Sequence, residues 1–206
     1  MHSEALVRDP FSIIITGVGG QGNVLASRLL GSMLAKKGFF VTIGETFGAS
    51  QRGGSVMSHV RVSRESVSSP QIPRGKADII VSLEPVEALL VLADYGNPQV
   101  VLLANTRPIY PVGVIRGELE YPPLNVLKDA IRRILPEACF IDGTEMALAL
   151  GNSILTNIVM LGALNGLDVV PFDRRDFEKA IAERVAADHV EANLSAFDAG
   201  RRMTRS

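Results

Sequence analysis

Phe11-Ser12-Ile13-Ile14-Ile15-Thr16-Gly17-Val18-Gly19-Gly20-Gln21-Gly22 decides the reading of this chain. Its first half is an unbroken apolar, β-branched run that ends at glycines, which suits a strand covered on both faces in a parallel sheet. From Asn23 to Lys37, Val24, Leu25, Leu29, Leu30, Met33 and Leu34 recur at helical spacing. Lys36 and Lys37 occupy the last turn and Gly38 marks the stop. Phe39-Phe40-Val41-Thr42-Ile43 follows at once as a second strand, so the first 45 residues read as a βαβ unit.

The same grammar extends outward. After the glycine-rich loop Gly44 to Ser55, the segment Val56-Met57-Ser58-His59-Val60-Arg61-Val62 alternates with a period of two. Val56, Val60 and Val62 share one face; Met57, His59 and Arg61 share the other. One polar face suits a sheet edge or an interface, and it opens the alternative of a mixed sheet. Strands are expected at Ala77 to Leu83, Val100 to Ala104 and Ala138 to Ile141. Helices are expected from Pro85 to Ala93 and near Leu124 to Leu135. Between Asn105 and Pro123, the prolines 108, 111, 122 and 123 bound an alternating stretch, Val112 to Leu119. It reads as a hairpin or an irregular excursion able to reach a partner. Helical stretches from Thr144 to Leu167, broken near Gly151, then 173 to 187 and 190 to 202, complete the chain. The expectation is a three-layer α/β/α, Rossmann-like domain with a mostly parallel or mixed sheet.

With 206 residues, 47% of them apolar, the chain can bury one sizeable core. One domain spanning 1–206 is expected, with residues 1–10 and 203–206 as flexible ends. A formal net charge of -1 points to neither nucleic acid nor an anionic membrane surface as partner. Cys139 is the only cysteine. An intrachain disulfide is therefore impossible, and an iron-sulfur cluster, which draws on about four thiolates, cannot be housed by this chain alone. Residues 1–10 lack the apolar core of a signal peptide, and Ile154 to Leu167 is too short to span a bilayer. A cytoplasmic, reducing compartment is the expectation.

The turn Gly17-Val18-Gly19-Gly20-Gln21-Gly22 satisfies G-x-G-x-x-G between a strand and a helix. Glycines permit a tight turn, and the exposed N–H groups of the helix start suit a phosphate or carboxylate. Glu45, about 20 residues on, stands where a dinucleotide enzyme keeps its ribose-binding acid. The Walker spacing is also present, but Asn23 and Val24 replace the Lys and Ser/Thr that a triphosphate loop needs. Dinucleotide binding, another anionic ligand, a subunit contact and a ligand-free structural turn all remain open on spacing alone.

A second loop narrows the choice. Read together, Ile15 to Gly22 and Ser50-Gln51-Arg52-Gly53-Gly54-Ser55-Val56 resemble the gamma-subunit family of 2-oxoacid:ferredoxin oxidoreductases, in its indolepyruvate form. The similarity continues at Ala77-Asp78, at Leu83-Glu84-Pro85, at Leu150-Gly151-Asn152 and at Asn157 to Gly162, over nearly the whole chain. The resemblance implies an accessory subunit of a multi-subunit, oxygen-sensitive enzyme. That enzyme decarboxylates arylpyruvates, forms an acyl-coenzyme A thioester and reduces ferredoxin. It also implies that thiamine diphosphate, magnesium and iron-sulfur clusters sit principally on partner subunits, while this chain is in contact with coenzyme A.

Carried over residue by residue, the family's two loops fall on Gly17, Gly19, Gly20, Gln21 and Gly22, and on Ser50, Gln51, Arg52, Gly53 and Gly54. Arg52 could pair bidentately with a phosphate or carboxylate, or form a salt bridge across a subunit interface. Glu45 could orient Arg52 or be a solvated carboxylate. His59 reads as packed or solvent-bonded rather than as a base, and Cys139 as a small hydrophobe. Asn152 and Asn157 read as satisfying helix backbone groups. A stand-alone NAD(P)-dependent reductase and a purely structural interface subunit are the competing readings.

Overall fold

The computed structural model describes residues 6–48 and 54–205. In chain order the elements are β1 (Phe11–Val18), α1 (Asn23–Lys36), β2 (Phe40–Phe47), β3 (Ser55–Ser63), β4 (Ile79–Ser82), α2 (Pro85–Tyr95), β5 (Val101–Asn105), α3 (Val112–Ile115), α4 (Leu124–Ile134), β6 (Cys139–Ile141), α5 (Gly143–Ala149), α6 (Thr156–Gly166), α7 (Arg174–Ala182) and α8 (Ala187–Thr204). The strands form one sheet in the order β2-β3-β1-β4-β5-β6. β1, β4, β5 and β6 run parallel, while β3 is antiparallel to both β1 and β2. The sheet is therefore mixed, with β3 alone reversed.

Every residue of β1 is buried, as its unbroken apolar run requires. Successive side chains go to opposite faces. Ile13 and Ile15 join Val60, Val62, Ile79 and Val81 beneath α1, α6 and α8. Ile14 joins Ile80, Leu102 and Ala104 beneath α2 and α4. Helices thus cover both faces, giving the expected three layers.

Two sequence expectations need correction. β3 is not an edge strand; it lies between β2 and β1 and splits the expected βαβ pair. On its polar face Met57 and Arg61 are half-buried and His59 is fully covered, because the segment after it folds back: Ile72 is buried and its N–H points at His59 Nδ1, 3.4 Å away. His59 also meets the Tyr95 ring edge-on, with 5.4 Å between centroids. Secondly, residues 112–119 form no hairpin. The excursion reading holds, with the helical turn α3 at its apex. The last helix runs two residues past its expected end at 202, and Thr204 Oγ1 bonds the Ala163 carbonyl at 2.7 Å. The long helix from Thr144 does break near Gly151, which adopts φ 98°, a left-handed value that favours glycine.

α6 and α8 approach so closely that each needs a glycine. A Cβ on Gly162 would stand 2.0 Å from the Phe197 carbonyl oxygen, and one on Gly200 would stand 1.9 Å from that of Val159. Backbone cannot yield as a flexible side chain would. Gly200→Ala is expected to cost about 2–3 kcal/mol net of the better helix propensity of alanine. In thermal unfolding this is a Tm loss of roughly 4–12 °C; an unchanged Tm would contradict the packing.

Burial lowers the pKa of His59, so the imidazole stays neutral in the fold. The unfolded chain takes up a proton near pH 6.5, and stability attributable to this site falls as pH drops below that value. His59→Gln is expected to flatten the loss of denaturation midpoint between pH 7 and pH 5 relative to wild type. Identical slopes in the two proteins would refute this.

Candidate functional site at the carboxyl rim of the sheet

Crossovers leave the middle of the sheet in opposite directions, from β1 toward β2 and from β4 toward β5. Ligands of wound sheets bind at such a switch point, outside the strand carboxyl ends. The glycine turn stands there. Gln21 fastens it: its Oε1 accepts the Val18 N–H at 2.7 Å, and its Nε2 donates to the Leu83 carbonyl at 2.9 Å. One side chain thus ties the end of β1 to the end of β4. Gly17 is obligatory beside it, since a Cβ would fall 2.6 Å from Gln21 Oε1 and 3.0 Å from Leu83 Cβ. Gly22 has φ 84°, caps α1 with no side-chain hydrogen bond, and lies against the amide of Asn157.

The two predicted loops meet. Gly19 donates its N–H to the Gly54 carbonyl at 2.8 Å. Ser50, Gln51, Arg52 and Gly53 lie outside the described residues. Gly19 and Gly20 form part of the walls of two hollows. The larger, about 670 Å³, is completed by Arg107, Ile109, Thr144, Leu148, Ser153 and Thr156 among others. The smaller, about 330 Å³, lies toward Asn23, Phe47 and Val56. The larger has a mixed lining of one guanidinium, three hydroxyls, glycine backbone and aliphatic side chains. Arg107 is exposed and pairs with Glu145 at 2.9 Å, a solvated contact worth little in stability.

Beneath the rim sit two buried carboxylates. Glu84 caps α2 through Glu87 N–H (2.9 Å), and its other oxygen takes the Tyr121 hydroxyl and, at 3.4 Å, the Ile109 N–H. Glu87 accepts the Ser55 hydroxyl at 2.6 Å. Burial first, then the nearby Glu84 charge, raises the Glu87 pKa against the lowering effect of Ser55 and Thr16 hydrogen bonds. Burial and the bond to Glu84 push the Tyr121 phenol well above its ordinary range. These groups brace the rim from below.

Of the other sequence candidates, Glu45 lies on β2, separated from β1 by the intervening β3, so about 10 Å of sheet parts it from the glycine turn. It pairs with Arg28 of α1 at 3.4 Å. Asn152 accepts the Ile154 N–H at 3.0 Å, a capping role, and Asn157 donates to the Gly22 carbonyl at 3.3 Å. Cys139 is half-buried on an edge strand, where burial raises its pKa and holds the thiol protonated. Sequence reasoning missed Glu84, Glu87 and Tyr121 as a braced cluster. The signal was the pair Glu84-Pro85, an acid at a helix cap with proline in the first turn.

The sequence model of the family described as pyruvate ferredoxin/flavodoxin oxidoreductase matches residues 12–203. Among curated relatives, the indolepyruvate oxidoreductase subunit IorB of Pyrococcus horikoshii is 40% identical, over 92% of this chain and 94% of that one. IorB of Archaeoglobus fulgidus is 36% identical over 92% of each. A solved 2-oxoglutarate:ferredoxin oxidoreductase from Magnetococcus marinus superposes with TM-score 0.73 at 20% identity, over 96% of this chain and 31% of that one. These relatives are subunits of 2-oxoacid oxidoreductases, and the likeness to the solved enzyme is one of fold. The chain belongs to the pyruvate ferredoxin/flavodoxin oxidoreductase family.

Proposed function

We propose that this chain is the accessory subunit of an indolepyruvate-type 2-oxoacid:ferredoxin oxidoreductase, and that its rim receives the phosphate-bearing part of coenzyme A. The observation that carries this reading is the joined pair of glycine loops beside the 670 Å³ hollow. Coenzyme A is named in the Magnetococcus enzyme, and indolepyruvate in the IorB relatives.

The residues present fit such a ligand. Arg107, with the hydroxyls of Thr144 and Ser153, would hold phosphate oxygens, and the N–H groups at the uncapped start of α1 add a partial positive charge. Ile109, Leu148 and Ile154 would lie along the aliphatic part. When bound, coenzyme A supplies the thiol that accepts the acyl group. This chain orients that thiol toward a partner and keeps water from one side of it.

The residues do not fit thiamine diphosphate with magnesium, or iron-sulfur clusters. Among the described residues no three His, Cys, Asp or Glu side chains are grouped to hold a metal, and the sequence has a single cysteine. We assign those groups to a catalytic partner, and contact with ferredoxin to the assembled complex. No helix of the described residues is long and apolar enough to cross a membrane. We place the complex in the cytoplasm.

The test is to co-express the chain with a thiamine-binding partner and assay coenzyme A-dependent thioester formation from an arylpyruvate, with ferredoxin as acceptor. Omitting this chain should abolish activity. Arg107→Ala should raise KM for coenzyme A roughly 10- to 100-fold, as expected for loss of one charged hydrogen bond, and leave KM for the oxoacid unchanged. Equal KM values in variant and wild type would sink the ligand role of the rim.

A further inference from the structure

Between β5 and α4 the chain leaves the rim and returns, carrying a cluster of apolar side chains into solvent. α3 buries none of its residues. Ile115 is 73% exposed, Leu119 63% and Val112 61%. Scattered exposed aliphatics are ordinary; a contiguous cluster of this kind on a soluble surface marks an interaction site.

The loop is also built rather than loose. The Glu84 carboxylate takes the Ile109 N–H at one end and the Tyr121 hydroxyl at the other, so one buried anion closes the excursion. The Tyr110 ring meets that of Tyr121 edge-on, with 5.1 Å between centroids. Inside the loop the Gly113 carbonyl accepts N–H groups from Glu118 (2.8 Å) and Leu119 (3.1 Å). Ordering a backbone costs about 1–2 kcal/mol per residue, and here it holds apolar groups in water. That arrangement is favourable overall only when those groups are covered.

Position and charge say what covers them. Ile109, at the base of the loop, together with Leu148 and Ile154, lines the large hollow, so a partner seated on α3 would also roof it. Arg116, Glu118 and Glu120, on the stretch that follows α3, are exposed and form no ion pair among the described residues, which leaves this surface one net negative charge. A second copy fits poorly. A two-fold contact would set a protruding loop against itself and bring together two surfaces of the same net sign.

We propose that Tyr110 to Leu119 is the plug by which this chain docks on the catalytic subunit, entering an apolar groove with a basic rim and closing the hollow beside the glycine turn. The inference rests on the proposed function, because it takes the partner to be the thiamine-bearing subunit of the same complex.

The experiment measures the dissociation constant of the full-length chain with that subunit. Ile115→Asp/Leu119→Asp should weaken it by roughly 30-fold or more, the effect of losing at least one central anchor. The isolated variant should unfold within about 2 °C of wild type, since both positions are solvated. Glu118→Lys/Glu120→Lys should slow association and remove most of its salt dependence. Tyr121→Phe should weaken binding without altering any exposed side chain. Wild-type affinity in the aspartate variant would overturn the plug. So would a wild-type chain that dimerises by itself and becomes monomeric in that variant, which would assign the surface to a second copy. If the wild-type chain fails to bind the catalytic subunit at all, the functional reading itself falls. That result is distinct, because it precedes any comparison of variants.

Discussion

The Gln21 side-chain amide is the contact on which the rim depends. Strands β1 and β4 are hydrogen-bonded neighbours, but beyond Val18 and Ser82 the chains depart to opposite faces of the sheet. The Leu83 N–H still reaches the Thr16 carbonyl at 2.8 Å, and beyond that bond the Gln21 amide, donating to Leu83 and accepting from Val18, keeps the two exits together. The glycines follow from it. Gly17 leaves room for the amide, and Gly22 takes the left-handed conformation that turns the chain into α1. With both ends of its amide engaged, Gln21 is part of the frame, and its neighbours Gly19 and Gly20 form the part of the turn that faces the hollows.

A second layer of constraint lies one shell deeper. Burying a carboxylate is costly unless donors surround it. Glu84 has three donors, from a helix start, a loop backbone and a phenol. Glu87 is served by Ser55 and Thr16, yet its pKa is still raised, because desolvation and the neighbouring anion outweigh those hydrogen bonds. The consequence is mechanical. Ser55 begins β3 directly after the second loop, so Glu87 fixes where that loop ends, while Glu84 fixes where the excursion begins and ends. Two adjacent carboxylates on one helix start thus position structures contributed by three separate stretches of sequence.

This division explains what the sequence made legible. Local periodicity carried β1, α1 and the later strand-helix alternation, since each buries a stripe or a face that a short window displays. The place of β3 was not legible in that way. Its polar face carries His59, and whether that face meets water depends on the residues after Ser63 folding back to bury Ile72, a long-range event. The excursion showed its prolines but not its anchor, because Tyr121 and Glu84 are 37 positions apart. The glycine turn was recognised by spacing, and its partner Gly54 through resemblance. The hydrogen bond joining the loops lay beyond either kind of reading. Ser50 to Gly53, the heart of the second loop, fall outside the described residues.

The insertion of β3 also separates this rim from that of a dinucleotide enzyme built on the same turn. In such an enzyme the acid at the end of the second strand reaches the ribose because that strand lies next to the first. Here the intervening β3 moves Glu45 a full strand further out, where Arg28 of α1 occupies it. The polar groups that do converge on the turn come instead from the loop after β5, through Arg107, from the first turn of α5, through Thr144, and from the entry to α6, through Ser153 and Thr156. Donors and aliphatic side chains share that lining, Thr144 with Leu148 on α5 and Ser153 beside Ile154, and on our proposal they meet a long ligand that has both an anionic end and an apolar body.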